Sequence, residues 1–493
     1  MPATILASLS GLSLTLVTAG LVSGCILVTY ALCLDENHCP VFLPMISDTF
    51  VPIPGNYISR MVFSFGQFGL GTVMVMDYYS YRLDKPSSSE CATKFWLCLT
   101  LIATVCMGIV GAVCESDTAP TCLSNGTLHT DSAVFLYITL DLYAISCALF
   151  EFKPPRCTAR KVLMLLLPLV SVATKARWSS SVVAALSPSD VAVAVVEWLD
   201  TAVLMTWIVL HCKRTYFGDY AAGYVTTASA DATTSTKAML AAKKTADDGP
   251  SVLLSASLLE LCNTFSAVSI GTVALTFVIA THNGKVDPAK EWPMLSDLWA
   301  DKPTNMISRY FVCLGAGLTA LEQAGHFFLA APHRTDAPKA NGALHVLSLA
   351  ALLGLSGVGA CNEKELSMLH FAFATLFFGG MGAYMVLDAL WLVHGHLRGR
   401  LAAPRAHLAA LGLLALAFNA YKLAHLADEL GVLAVPRSSL AVLEWSAWIT
   451  FLLYVRFHVT VYPEAPKYRL AIIKRATALS SHTASLLQSV AVA

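Results

Sequence analysis

Charged residues are scarce in this chain. Only 13% of its 493 residues are Asp, Glu, Lys or Arg, against 56% hydrophobic residues, and the mean hydropathy is +0.63. A soluble fold of this size cannot cover so much apolar side chain, so the composition predicts an integral membrane protein. The formal net charge is zero and no basic run is interleaved with aromatic residues, which argues against a nucleic-acid partner.

Familiar catalytic and metal-binding motifs are also absent. The fourteen cysteines form no Cys-x-x-Cys pair, so neither a zinc site nor any other metal or cofactor is predicted. No Gly-x-Ser-x-Gly or His-Glu-x-x-His motif supports a hydrolase. No Lys or Arg precedes the first apolar run, which therefore indicates a membrane helix rather than a signal peptide.

Apolar runs predict twelve membrane helices, because each run is long enough to cross a bilayer at about 1.5 Å per residue. Six lie in the first half, near 7–31, 57–76, 95–113, 132–150, 161–183 and 191–211. Six lie in the second half, near 253–280, 306–331, 343–361, 369–392, 406–426 and 438–460. The predicted fold class is an all-α polytopic membrane protein built from two parallel six-helix repeats.

A polar stretch separates the two halves. Residues 215–250 are rich in Ala and Thr and have no apolar periodicity, which predicts a flexible cytosolic linker. The predicted domains are a first repeat at 1–214, this linker, a second repeat at 251–460 and a cytosolic tail at 461–493.

One stretch of seventeen residues occurs twice. Residues 44–60 read PMISDTFVPIPGNYISR and residues 293–309 read PMLSDLWADKPTNMISR, with nine identical positions. Self-similarity at a fixed offset, here about 249 residues, is the signature of a duplicated architecture. The second half is therefore predicted to be a copy of the first.

Lys and Arg are concentrated in alternate loops, and this bias predicts the orientation. Both repeated stretches then face the lumen or the exterior, although Lys285, Lys290 and Lys302 weaken the bias in the second. The only Asn-x-Ser/Thr sequon, at Asn125, falls on the same non-cytosolic side and predicts a glycosylated protein. That side also carries the candidates for a disulfide, Cys33, Cys39, Cys114 and Cys122.

Polar residues present in both halves beside the bilayer are the site candidates, because a charge at membrane depth is costly. Arg60 and Arg309 begin the second helix of each half and suit a lipid phosphate or an ion pair with Asp48 or Asp297. Snorkelling to the interface explains these arginines equally well, and turn formation explains the aspartates slightly better. The predicted headgroup-binding residues are Arg309, Asp297, Ser296, Arg60, Asp48 and His129.

Histidine and glutamate supply the candidates for proton transfer. His129 and His370 each open a helix after a matching lumenal segment, and such a histidine can act as acid or base, bind a headgroup or be structural. We predict that Arg309 and His370 share one headgroup-sized pocket, mirrored by Arg60 and His129.

The last helix of each half contains Glu-Trp, at Glu197-Trp198 and Glu444-Trp445. Each glutamate needs a neighbour, a proton or a polar cavity. The tryptophans are equally well explained as interface anchors.

These residues carry a resemblance. Each half resembles the six-helix family that includes the GPI-anchor remodelling factors acting after attachment, the damage-regulated autophagy modulators and the yeast Sfk-type regulators. The shared features are the LP-x-(I/V)-S loop, the lumenal histidine and the E-(W/Y) pair. The arginine after N-x-I-S is closest to the GPI-remodelling branch, as is AYKLAHLADELGV (420–432), with His425, Glu429 and Gly431. The spacing in that segment differs by one residue, and an Asn and a Cys are missing.

The resemblance implies lipid remodelling of GPI anchors at the lumenal face of the Golgi or endoplasmic reticulum. It leaves open whether the chain is an enzyme. The implied partners are membrane lipids and GPI-anchored proteins, and the sequence does not define an oligomeric state. The predicted catalytic residues are His370, His425, Glu429 and Glu444.

Two other functions compete with lipid remodelling. One is a non-catalytic regulator or scaffold, with the plasma membrane or lysosome as alternative locations. The other is a transporter, since two parallel six-helix halves also build carriers, although intramembrane charges are few.

The two halves are predicted to be unequal. The first half has TKARWSSSVVAALSP (174–188) where the second has His425 and Glu429. The second half is therefore expected to hold the active site and the first to act as a scaffold.

Overall fold

Helices cover nearly all of the predicted membrane spans. A computed structural model describes residues 4–39, 43–84, 89–113, 126–151, 190–212, 220–226, 251–399, 401 and 403–474. The helices of the first half are α1 (Gly11–Asp35), α2 (Gly55–Asp84), α3 (Glu90–Ala112), α4 (Gly126–Glu151) and α5 (Asp190–Cys212). The predicted span near 161–183 and the segment 174–188 lie outside the described residues.

The second half follows the same order. Its helices are α6 (Leu258–His282), the short α7 (Leu295–Leu298), α8 (Thr304–Ala330), α9 (Pro338–Ala360), α10 (Ser367–Leu397), α11 (Arg405–Glu429) and α12 (Arg437–Thr460). A 3-10 turn at Ser47–Phe50 stands in the first half where α7 stands in the second. The helices α1 and α6 both begin after a serine, Ser10 and Ser257, whose side chain accepts a backbone N–H of the first turn.

Eight helices in the described part of the chain are long and apolar enough to cross a membrane, namely α1, α2, α3, α6, α9, α10, α11 and α12. The protein is therefore a mainly helical integral membrane protein. Helix α8 is less apolar because it carries Arg309, Glu322, Gln323 and His326, all of which are buried within the bundle.

A four-stranded antiparallel sheet joins the ends of the two halves. Its strands are β1 (Thr4–Ser10), β2 (Tyr220–Thr226), β3 (Ser251–Ser257) and β4 (Tyr468–Lys474), in the order β1-β2-β4-β3. Each half thus has one strand before its first helix and one after its last. We call this end of the bundle the sheet end, and the opposite end, with the loops around 43–54 and 283–303, the loop end.

The sheet is a small addition to a mainly helical fold, and this fold fits the predicted all-α membrane class. Strands β1 and β3, of seven residues each, continue directly into apolar helices. In the sequence they therefore read as the beginning of a longer apolar run. Strand β2 lies within the stretch predicted as a flexible linker, and β4 lies within the predicted tail. Strand β2 joins the halves further, because Tyr224 donates a hydrogen bond to the Leu321 carbonyl of α8.

One of the candidate disulfides forms, between Cys33 and Cys39 at the end of α1. Cys114, Cys122 and the sequon residue Asn125 lie outside the described residues. This disulfide lies at the loop end, on the face that the charge bias predicts to be non-cytosolic.

Replacing Gly223 with alanine is expected to destabilise the sheet. A Cβ at Gly223 would lie 2.0 Å from the Ala7 carbonyl oxygen and 2.6 Å from Ser8 Cα. Such overpacking costs about 1–3 kcal/mol, and thermal unfolding in detergent would show it as a lower melting temperature. The control is Gly271→Ala in α6, where an added Cβ would have no heavy atom within 4 Å. Equal shifts for the two variants would contradict the expected steric effect.

Candidate functional site

The last helix of each half holds the loop of its own half by the same contacts. Glu197 accepts a hydrogen bond from the Ile46 backbone N–H at 2.8 Å, and Glu444 accepts one from Leu295 at 2.8 Å. The neighbouring indoles do likewise, since Trp198 donates to Pro44 and Trp445 donates to Pro293. These Glu-Trp pairs therefore position the repeated loops, and the tryptophans are more than interface anchors.

The aspartates of the repeated loops fold their own backbone. Asp48 accepts from the Met45 N–H at 3.2 Å, and Asp297 accepts from the Met294 N–H at 2.9 Å. Asp297 also forms an ion pair with Arg437 at 2.6 Å. These contacts support the turn explanation for both residues.

Arg60 and Arg309 meet on one carboxylate. The Arg60 guanidinium lies 3.0 Å from Glu365, and the Arg309 guanidinium contacts the other oxygen of the same carboxylate. All three side chains are about 1% exposed. Arg60 also donates to the Ala360 carbonyl at 2.6 Å. An arginine from each half therefore converges on the α9–α10 loop of the second half.

This convergence differs from the predicted headgroup pockets. His370 and Arg309 do border a common cleft, but its volume is about 10 Å³, which is room for about one water molecule. The guanidinium groups bind Glu365 instead of facing a headgroup-sized space. His129 lies on the other half, where its ring contacts Val113.

His370 and His129 are held by equivalent hydrogen bonds. Nδ1 of His370 lies 2.7 Å from the Cys361 carbonyl, and Nδ1 of His129 lies 2.6 Å from the Val113 carbonyl. A carbonyl oxygen can only accept, so each ring carries its proton on Nδ1 and, when neutral, has a lone pair on Nε2. Burial raises the pKa of the Cys361 thiol to about 12, so this thiol stays protonated at neutral pH.

A cavity of about 380 Å³ opens inside the second half at the loop end. It brings together all four predicted catalytic residues, together with Ser296 of the repeated loop. Nδ1 of His425 lies 3.3 Å from a Glu429 carboxylate oxygen, four residues along α11. The charged residues and histidines of the lining lie toward the loop end; they are His370, His425, Glu429, Glu444, Glu363, Asp428, Lys422 and Arg437.

The rest of the lining is mostly apolar and aromatic, with hydroxyl groups at Ser269, Thr272 and Thr375 among others. The apolar and aromatic residues include Phe265, Phe311, Leu355, Phe377, Phe378 and Phe451. These residues belong to the spans α6, α9, α10 and α12 and to the adjoining α8, so the apolar part extends to membrane depth. A cavity that is polar at one end and apolar along its depth fits an amphipathic molecule.

Sequence reasoning missed several residues of this site. Glu365 has no special sequence context, and only the packing of the two halves shows its two arginine partners. Arg437 and Lys422 belong to different helices, and Lys422 binds the Thr375 hydroxyl at 3.1 Å. Arg437 could have been found from the sequence. It is a basic residue at the start of a helix at the loop end, where it can reach Asp297 of the repeated loop.

Together these features define a polytopic helical membrane protein with an amphipathic cavity at one membrane boundary. Residues 258–466 match the family model described as the Frag1/DRAM/Sfk1/Cwh43P N-terminal domain. The match covers the helices that line the cavity and supports this family for the second half. No curated protein and no solved structure matches the chain.

Proposed function

We propose that the second half binds a membrane lipid in this cavity and remodels the lipid of GPI anchors at the lumenal face of the Golgi or endoplasmic reticulum. The cavity itself carries the proposal, because it combines apolar walls at membrane depth with His370, His425, Glu429 and Glu444 at its polar end. Histidine exchanges protons near neutral pH, which acyl transfer to or from a hydroxyl group requires.

The charge of the polar end narrows the class of lipid. The acids that line it are Glu363, Asp428 and Glu429, and the cations are Lys422 and Arg437. Glu444 also lines it, but it is buried and accepts the Leu295 backbone N–H. Asp297 already binds Arg437. Such a surface favours a headgroup rich in hydroxyl or amine groups over one held through its phosphate.

We further propose that the chain is a tandem duplication with twelve spans in two parallel repeats. Several paired contacts support this proposal: the Glu-Trp contacts with the loops, the aspartate turns and the histidine–carbonyl bonds. The register shifts of the edge strands also correspond, between Ile5 and Ala7 in β1 and between Val252 and Leu254 in β3. Within this arrangement the first half serves as a scaffold.

Removing the protein is expected to change the lipid composition of GPI anchors, and His425→Ala or Glu429→Ala is expected to reproduce that change. These two side chains contact each other in the cavity lining, so the two variants should give the same phenotype. Loss of a proton-transfer residue lowers a rate by about 10²–10⁴-fold. The measurement is mass spectrometry of anchor lipids at matched protein abundance.

The control for this experiment is His282→Ala, a substitution at the loop end in a residue that does not line the cavity. Unchanged anchor lipids in cells without the protein would contradict the remodelling function and favour the regulator or scaffold. If anchor lipids change in those cells but neither variant reproduces the change, the protein remodels anchors without His425 and Glu429.

A further inference from the structure

A second cluster of chemically active side chains lies near the sheet end of the first half, away from the cavity. Asp77 of α2, Cys147 of α4 and His211 of α5 bring one ligand atom each within 4.8 Å of one another. Their exposed fractions are 1%, 3% and 2%. His211 Nε2 lies 2.9 Å from Asp77, and Tyr143 donates a hydrogen bond to the same carboxylate oxygen.

We propose that Asp77, Cys147 and His211 bind a zinc ion. Carboxylate, thiolate and imidazole are all zinc ligands, and thiolate together with imidazole disfavours Mg²⁺ or Ca²⁺. Bond lengths of about 2.0–2.3 Å place tetrahedral ligand atoms about 3.3–3.8 Å apart. The present spacing, from 2.9 Å to at most 4.8 Å, requires movements of only about 1 Å.

Binding requires simple proton changes. The Cys147 thiol releases its proton to water and binds as thiolate, while the His211 proton moves to Nδ1 so that Nε2 can bind. The carboxylate and the thiolate then offset the two charges of the ion. A buried site without net charge avoids most of the cost of placing an ion in the bundle.

The second half has a different set of side chains at the corresponding positions, and the comparison supports this assignment. Counting from the shared arginine, histidine and glutamate of each half, His326, Asp388 and His458 occupy the positions of Asp77, Cys147 and His211. Again all three residue types are potential metal ligands, and all are buried.

In the second half, the acid of this cluster, Asp388, already has a positively charged partner. The Arg334 guanidinium forms an ion pair with Asp388, and both side chains are at most 2% exposed. Tyr454 donates to the same carboxylate at 3.0 Å. The two halves therefore place an acid and a histidine at the same depth, and the first half combines them with a thiol instead of a guanidinium. We assign the metal to the first half for this reason.

No sequence motif indicates this site, because its ligands come from three different helices. The full-length chain in detergent, free of affinity tag and stripped with a chelator, is the material for the test. After addition of Zn²⁺ and desalting, elemental analysis is expected to find one zinc per chain. With Co²⁺ in place of zinc, a thiolate-to-cobalt charge-transfer band is expected.

The variants Cys147→Ser and His211→Asn are expected to lower zinc affinity by at least about 10-fold, since even residues that only support the ligands cost that much. Cys262→Ser is the matched control, because Cys262 is fully buried in the second half and donates to the Val455 carbonyl. It should bind zinc like the unaltered chain. An unaltered chain that retains no zinc and shows no thiolate–cobalt band would overturn the proposal, whether or not the variants fold.

Discussion

Replacing Glu365 with glutamine is expected to lower the free energy of unfolding by about 3–5 kcal/mol, because it leaves two buried guanidinium groups without their shared carboxylate. Arg60 and Arg309 come from different halves, so their repulsion would act directly on the contact between the halves. Thermal unfolding of the purified chain in detergent would measure the effect. Limited proteolysis between the halves would report whether they separate.

Glu90 offers a matched control for this change. It also contacts two cations, Arg82 at 3.1 Å and Lys94 at 2.8 Å, but its side chain is 53% exposed. Water screens such a pair, so Glu90→Gln should barely move the unfolding temperature. If Glu365→Gln behaves like Glu90→Gln, the buried triad does not hold the halves together.

Replacing His370 with alanine is expected to lower the rate of lipid remodelling by about 10²–10⁴-fold, the range typical for loss of a general acid or base. The reason is the position of His370, which borders the cavity. Its Nδ1–H donates to the Cys361 carbonyl, so Nε2 remains available for proton exchange. The measurement is the turnover of anchor lipid by the chain reconstituted in vesicles.

His129→Ala separates this role from a structural one. His129 makes the same kind of bond, to Val113, so both variants lose a hydrogen bond worth about 1 kcal/mol. Only the His370 variant should lose turnover. His370→Asn can keep a donor to the carbonyl but offers no base, and it should be as inactive as His370→Ala. Equal activity of His129→Ala and His370→Ala would remove His370 from the chemistry.

The helices were predictable because their signal is local. A run of apolar residues long enough to span a membrane folds as a helix wherever its neighbours lie, and the described helices follow the predicted spans closely. The sheet depends on partners hundreds of residues away. Strand β1 is hidden in the sequence because its apolar residues continue into α1, with only the capping residue Ser10 marking the boundary.

The candidate site divides in the same way. His425 and Glu429 are four residues apart on one helix, so their contact follows from helical spacing alone. The partner of Arg60 is 305 residues away and belongs to the other half. No local sequence rule connects Arg60 with Glu365. The pairing that the sequence suggests, with Asp48 of the neighbouring loop, is a different one. The relative placement of the halves decides this contact, and sequence periodicity contains no information about it.

The strand order also constrains how the protein is made. Strand β1 can pair with β2 only after the first half has been synthesised. The central β2–β4 pair can form only once the chain has been made as far as Lys474. Until then β2 has one open edge, and an open edge can pair with other chains. A ribosome that stalls in the second half, or a premature stop codon before Tyr468, therefore releases a membrane protein whose helices are largely inserted but whose sheet is incomplete. In such a product, the edge of β2 that β4 covers in the complete chain stays open to pairing with other chains.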